Sequence, residues 1–145
     1  MRKFIKIFFA VIVLAFIGIQ FVKVEKTNPP VTGDINVNSN LKNVFKNACY
    51  DCHSNETKWP WYSNIAPVSW LVADDVKEGR KHLNFSEWEK YNDTRKSRKR
   101  EEIWEQVNEG EMPMKIYTYL HPSANLDVVH KNLIKEWATK KNPWE

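Results

Sequence analysis

A chain of 145 residues with 22 basic and 18 acidic side chains has a formal net charge of +4, and the excess is concentrated at one end. Without Arg2, Lys3 and Lys6, 19 basic residues face 18 acidic ones, so the remainder does not demand nucleic acid or a strongly basic docking surface. No phosphate-binding glycine loop, nucleophile–base pair or paired carboxylate set rises above background.

In chain order, residues 1–22 read as a membrane-directing segment. Arg2, Lys3 and Lys6 make a basic start, and Ile7 to Val22 is apolar except for Gln20. Those sixteen residues span about 24 Å as a helix, against a hydrocarbon core of about 30 Å. Starting at Phe4, with Lys6 snorkelling, adds roughly a turn, so residues 4–22 are expected to form a single N-terminal transmembrane helix. A cleaved signal peptide is the alternative, but no small-x-small pair follows the apolar run. The basic end is expected in the cytoplasm and the rest outside, although Lys23 and Lys26 on the far flank weigh against that orientation.

Residues 23–39, with Pro29-Pro30 and Gly33, read as a flexible linker. Residues 40–145 then form one domain, read as helices joined by aromatic loops with no strand pattern. Ser39 or Asn40 can cap a helix with Leu41, Val44, Phe45 and Ala48 on its inner face.

That helix delivers Cys49-Tyr50-Asp51-Cys52-His53. C-x-x-C-H is the attachment signature of c-type haem. Spacing i, i+3, i+4 lets one helical turn point both thiols and the imidazole the same way, so the thiols can close thioethers on the ring while His53 takes an axial position on iron. Three plainer readings compete. Zinc usually wants four ligands in two spaced pairs, and His82, His121 and His130 offer only irregular spacing. A thioredoxin-like pair should accompany a βαβ pattern, which is absent. A Cys49–Cys52 disulfide would close too short a loop to stabilise much.

The stretch Trp59 to Pro67 is too rich in proline and aromatics for regular structure. Trp59, Trp61, Tyr62 and Trp70 follow the motif closely and are candidate walls of a haem pocket. Pro67 suits the first turn of a second helix running to about Lys81 through Val68, Leu71, Val72 and Val76. Ser86 with Glu89 makes a capping box for a short third helix carrying Trp88. A fourth runs from Asp93 or Thr94 to Gly110, with Ile103, Trp104 and Val107 inward. Its Arg95, Lys96, Arg98, Lys99 and Arg100 form either a solvated face or a patch for an acidic redox partner. A last helix starts at Asp127 and buries Val129, Leu133, Ile134 and Trp137.

Directly after Gly110 comes Glu111-Met112-Pro113-Met114. A thioether is a soft iron ligand, and a His/Met pair raises the reduction potential. Pro113 biases Met112 towards extended backbone, where Met112 and Met114 face the same way. Either can serve, or simply fill a core gap; His121, His82 and His130 are outside candidates.

From about Leu41 to Trp137 the chain resembles the bacterial haem-binding domain family of small c-type cytochromes, through CYDCHSNETKWPWYSNIAPVSW, EGRKHLNFSEW, GEMP and YLHPSANL. Ile19-Gln20-Phe21 is similar to the family's usual N-terminal segment. The resemblance implies an all-α, cytochrome c-like fold around one covalent haem c on Cys49 and Cys52, with His53 as proximal ligand. It favours Met112, directly before proline, as the distal metal ligand; Met114 departs from the usual pattern. The function expected is that of an electron carrier, not an enzyme, anchored in the bacterial cytoplasmic membrane with its haem domain on the periplasmic side. Redox proteins of the cell envelope would be its partners. A haem-based sensor with a labile sixth ligand and a peroxidase-like enzyme using His121 are the competing classes.

Overall fold

Phe45 and Phe85 are both fully buried, and the described part of the chain is assembled around their contact. In this computed structural model, which describes residues 1–140, the helices are α1 (Arg2–Ile19), α2 (Ser39–Ala48), α3 (Tyr50–His53), α4 (Val68–His82), α5 (Asp93–Glu109), α6 (Lys115–Leu120) and α7 (Val128–Thr139). Tight 3-10 turns lie at Trp61–Asn64, Phe85–Lys90 and Pro122–Ala124. No strand occurs among the described residues, in keeping with the all-α expectation; the expected domain end at 145 lies outside them.

The rings of Phe45 and Phe85 stack at 4.8 Å between centroids, and Tyr50 stacks on Phe85 at 5.2 Å. Trp137 of α7 meets Phe45 edge-on at 5.2 Å, and Trp88 lies 5.7 Å from Trp137. Such pairs add about 0.5–1.5 kcal/mol each beyond their area. The same contacts bring α2 and α7 together. Leu41, Val44, Phe45 and Ala48 are all buried, as the helical spacing requires, and so is Ile134. Val129, Val68 and Leu71 are instead exposed.

Side-chain caps explain where α2, α5 and α7 start. Asn38, one residue before the expected cap, accepts from Leu41 N at 3.0 Å. Asn92 accepts from Arg95 N at 2.8 Å and Asp127 from His130 N at 2.8 Å. Ser86 does not cap a third helix. Asn84 accepts from Ser86 N, and the buried Ser86 hydroxyl accepts from Asn55 N at 2.9 Å. That link joins the Phe85–Lys90 turn to the chain just after α3.

Two expectations need correction. First, residues 23–39 are not a free linker. Gly33 N and Ile35 N donate to Ser86 O and Phe85 O at 3.0 Å each, and Glu89 N returns a bond to Gly33 O at 2.9 Å. Ile35 is 3% exposed, inside the aromatic core. Arg80 closes the strap by donating to Thr27 O, Asn28 Oδ1, Ser54 O and Thr57 Oγ1 at 2.7–2.8 Å. Prolines and asparagines suggested mobility, but a buried isoleucine and donated backbone hydrogen bonds hold the segment down.

Second, the expected membrane span over 4–22 is not supported: no helix of the described residues is long and apolar enough to cross a membrane. The 18 residues of α1 extend about 27 Å, and three of them, Arg2, Lys3 and Lys6, are basic. Just past its end, the Gln20 side chain ties the helix to the domain. Its amide bonds both backbone groups of Ala66, donating to the carbonyl at 3.0 Å and accepting from the N–H at 2.9 Å.

Truncating Ile35 separates a strap from a spacer. Ile35→Ala should lower the unfolding free energy by about 2–5 kcal/mol, the range for a buried isoleucine. Val31→Ala, at a half-exposed position of the same segment, should stay within about 0.5 kcal/mol. Chemical denaturation of the two variants measures both.

Candidate functional site

α2 ends at Ala48, and Cys49 leaves helical geometry at φ −127°. The next residues make a separate single turn: Cys52 N and His53 N both donate to Cys49 O, at 3.3 and 2.9 Å. That turn gathers Cys49, Cys52 and His53 on the wall of one cavity of about 510 Å³, inside the usual range of about 300–1,000 Å³ for cofactor sites. The residues between the cysteines hold it from behind. Tyr50 Oη donates to Asp34 Oδ1 at 2.7 Å, and Lys42 is paired with the same carboxylate. Asp51 accepts from Tyr117 Oη at 2.8 Å and from Lys58 N at 3.0 Å. Burial, and then the bond to Asp51, push the Tyr117 phenol well above its ordinary range, so it stays a donor.

Helix α4 crosses this turn at Gly79. A Cβ there would stand 2.6 Å from Cys52 O, too close for any residue but glycine without backbone displacement. The close approach brings two carbonyls to the imidazole. His53 Nδ1 lies 2.9 Å from Gly79 O and 3.2 Å from Leu83 O. Since both partners are acceptors, Nδ1 carries the hydrogen, which leaves Nε2 as the nitrogen with the free lone pair. Burial holds His53 below its ordinary pKa, with the two carbonyls opposing it, so the ring is neutral. Burial also pushes both thiols up to about 12; Cys52 adds to Cys49, and the Asp75 and Asp51 carboxylates add to Cys52. Both sulfurs are therefore thiols at neutral pH rather than ready-made thiolate ligands.

Apolar walls come from Leu83, Phe85, Ile103 and Val107, and from the loop Met112-Pro113-Met114. Gly110, at φ +78°, ends α5 in the left-handed conformation that favours glycine. Gly110 N bonds Val107 O, while Glu111 N and Met112 N both bond Gln106 O at 3.0 and 3.1 Å. The Schellman-type pattern folds the chain back so that both methionines reach the cavity. Spacing left Met112 and Met114 open, and the cavity lining admits both.

The other sequence candidates are elsewhere. Trp59 and Trp70 line a separate groove beside Arg80, Trp61 is exposed, and Tyr62 hydrogen-bonds His121 Nε2 at 2.8 Å. These four are therefore corrected as pocket walls. Hydrogen bonds turn the chain after the motif away from the cavity: Ser54 Oγ to Tyr50 O, Thr57 Oγ1 to Asp51 O, and Arg80 to Ser54 O. Tyr62 sits one layer behind, since His121 stacks on the cavity residue Tyr117 at 4.4 Å. The walls that sequence reasoning missed include Leu83, Phe85 and Tyr117. Ile103 and Val107 were legible as an inner helix face, without any sign that the face meets a cavity.

Zinc fares poorly here. Cys49, Cys52 and His53 share a cavity, but among the described residues no three His, Cys, Asp or Glu side chains converge so that they could hold a metal ion between them. His82 reaches the cavity rim near Glu78, His121 pairs with Tyr62, and His130 lies beside Asp127. Nor is the basic run on α5 a free patch. Lys96 pairs with Glu89, Arg98 and Lys99 with Glu102, Arg95 lies 3.9 Å from the Tyr91 ring centroid, and Arg100 is buried.

Two thiols, an imidazole with a free Nε2, two thioethers and an apolar lining fit a haem. Gly79→Ala tests the crossing. Alanine is favoured in a helix by about 1 kcal/mol, but overpacking against the Cys52 carbonyl costs about 1–3 kcal/mol. The variant should melt lower and carry less haem per chain, measured by thermal denaturation and pyridine haemochrome.

No curated protein and no solved structure matches the chain, but the family model described as "Haem-binding domain" matches residues 14–140. That match takes in the end of α1 and the whole strap, as well as the cavity built by α3, α4, α5 and the methionine loop, and the chain belongs to the haem-binding domain family.

Proposed function

We propose that the chain is a membrane-attached c-type cytochrome that carries single electrons between redox proteins of the cell envelope, and is not a catalyst. One observation carries this reading: Cys49, Cys52 and His53 share a single apolar cavity with Met112. Cys49 and Cys52 would hold the haem through thioethers, and His53 Nε2 and the Met112 sulfur would be the ligands to its iron. Bound there, haem supplies a one-electron iron couple, and a His/Met ligand pair places that couple at raised potential.

The protein's own groups divide the work. The Gly79 and Leu83 carbonyls hold the His53 proton at Nδ1 and orient the ring. Leu83, Phe85, Ile103 and Val107 exclude water from the cavity. Gln106 O, by accepting from Glu111 N and Met112 N, tethers the backbone that carries the methionine. A tethered loop loses less entropy on ligation, which helps a weak thioether bond persist. The apolar α1, which has no buried residue, supports attachment to lipid. Its basic start adds attraction to anionic lipid headgroups, and the periplasmic side is the compartment we assign to the haem domain.

Covalent attachment and ligation have separate tests. Haem should remain with the denatured polypeptide through acid–acetone extraction, and Cys49→Ala with Cys52→Ala should release it. The oxidised protein should show the methionine-sulfur charge-transfer band, and the reduced protein should resist carbon monoxide. Met112→Ala should abolish the band, lower the potential and admit carbon monoxide, while Met114→Ala should change little. Ready binding of carbon monoxide by the unmutated protein, with no band, would favour a sensor. Loss of the band only in Met114→Ala would reassign the ligand and leave the carrier intact.

A further inference from the structure

The end of α1 is bolted to one edge of the domain, and that edge is apolar. Besides the two Gln20–Ala66 bonds, Lys26 Nζ donates to Ser63 O at 3.2 Å and Trp70 Nε1 approaches Val22 O at 3.5 Å. Around these contacts Phe21 is 80% exposed, Trp61 76% and Leu71 65%, with Ile65 and Val68 also open. Leu71 and Val68 stand three apart on the first turns of α4, where helical spacing alone would have buried them. None of them packs into the core.

Charge singles out the same edge. No aspartate or glutamate occurs from Met1 to Val24 or from Thr57 to Ala73, although 18 acidic residues are spread over the chain. The charged side chains in those two stretches are all basic, and Lys23 and Lys58 are both exposed. An apolar, tryptophan-bearing edge whose two sequence stretches carry cations and no carboxylate, with Asp74 and Asp75 exposed only beyond it on the next turn of α4, suits the headgroup layer of an anionic bilayer. Geometry adds a constraint. A helix in lipid whose last turn is hydrogen-bonded to the domain carries the residues beside that bond to the lipid surface.

We infer that the Phe21, Trp61, Ile65, Val68 and Leu71 edge is a second lipid contact, which seats the haem domain on an anionic membrane surface in a set orientation. This rests on the reading of α1 as the membrane attachment. With that edge against lipid, the domain does not swing on a tether, and the groups on its remaining faces are presented to partners at a defined height and angle.

Photocrosslinking of the full, haem-loaded chain in vesicles of phosphatidylcholine and phosphatidylglycerol tests it. Separate proteins carry p-benzoylphenylalanine in place of Trp61, Leu71, Phe9 of α1, or Glu101 on α5, and mass spectrometry scores phospholipid adducts. Positions 61 and 71 should form adducts at least several-fold above position 101, and more so than in phosphatidylcholine alone. Gln20→Ala should lower the yield at 61 while leaving position 9 unchanged. Adducts at 9, with 61 and 71 no higher than 101, would overturn the seated orientation and leave the attachment intact. No adducts at 9 would remove the attachment, and this inference with it.

Discussion

Everything at the cavity depends on how close α4 comes to the C-x-x-C-H turn. An axial imidazole needs one nitrogen free and the other held, and here the holding groups are the carbonyls of Gly79 and Leu83. Those carbonyls reach His53 only because residue 79 has no side chain to strike Cys52 O. The contact joins backbone to backbone, so it tolerates little drift, and Arg80 pins it from the next position by gripping Ser54 and Thr57. One glycine and one arginine, adjacent in sequence, thus set the position of a histidine 26 residues away.

The fold was legible where local chemistry decides it. Leu41, Val44, Phe45 and Ala48 announced a helix face, Asp127 announced a cap, and the Gly110 stop is a backbone requirement that composition reveals. The motif itself needed only one helical turn. Illegible features were those fixed by distant partners. The strap looked mobile because Pro29, Pro30 and Gly33 are local signals, whereas Ile35 docking on Phe85 O is a tertiary one. Ser86 with Glu89 had the pattern of a capping box, yet Asn84 took the cap and Ser86 served Asn55. Proximity in sequence likewise misassigned Trp59, Trp61, Tyr62 and Trp70 to the pocket, since the chain turns outward within five residues of His53 through bonds that no periodicity foretells.

Phe85 ties these observations together. It is buried under Phe45, Tyr50 and Trp88, receives the strap through its carbonyl, and still faces the cavity. A disturbance at the strap therefore reaches the cavity wall through one rigid ring, because close-packed interiors transmit strain. That arrangement accounts for a family match that begins inside α1 rather than at the start of α2. Residues 20–38 are part of what shapes the cavity, and a domain cut at residue 40 would lose them.

The two sides of the cavity are built by different means. On the histidine side, carbonyls from the last turn of a 15-residue helix and the residue just after it define one orientation of one ring. On the methionine side, a helix stop and a tripeptide present two flexible thioethers, both half-buried and both at the wall. Methionine has three rotatable side-chain bonds and adapts to irregular space, so definition here has to come from the backbone. It comes from Gln106 O, which binds the amides of both Glu111 and Met112 and leaves Met114 a further step from the tether. The shorter lever to a held backbone is the physical argument for proposing Met112 as the ligand, and it is independent of the proline that follows.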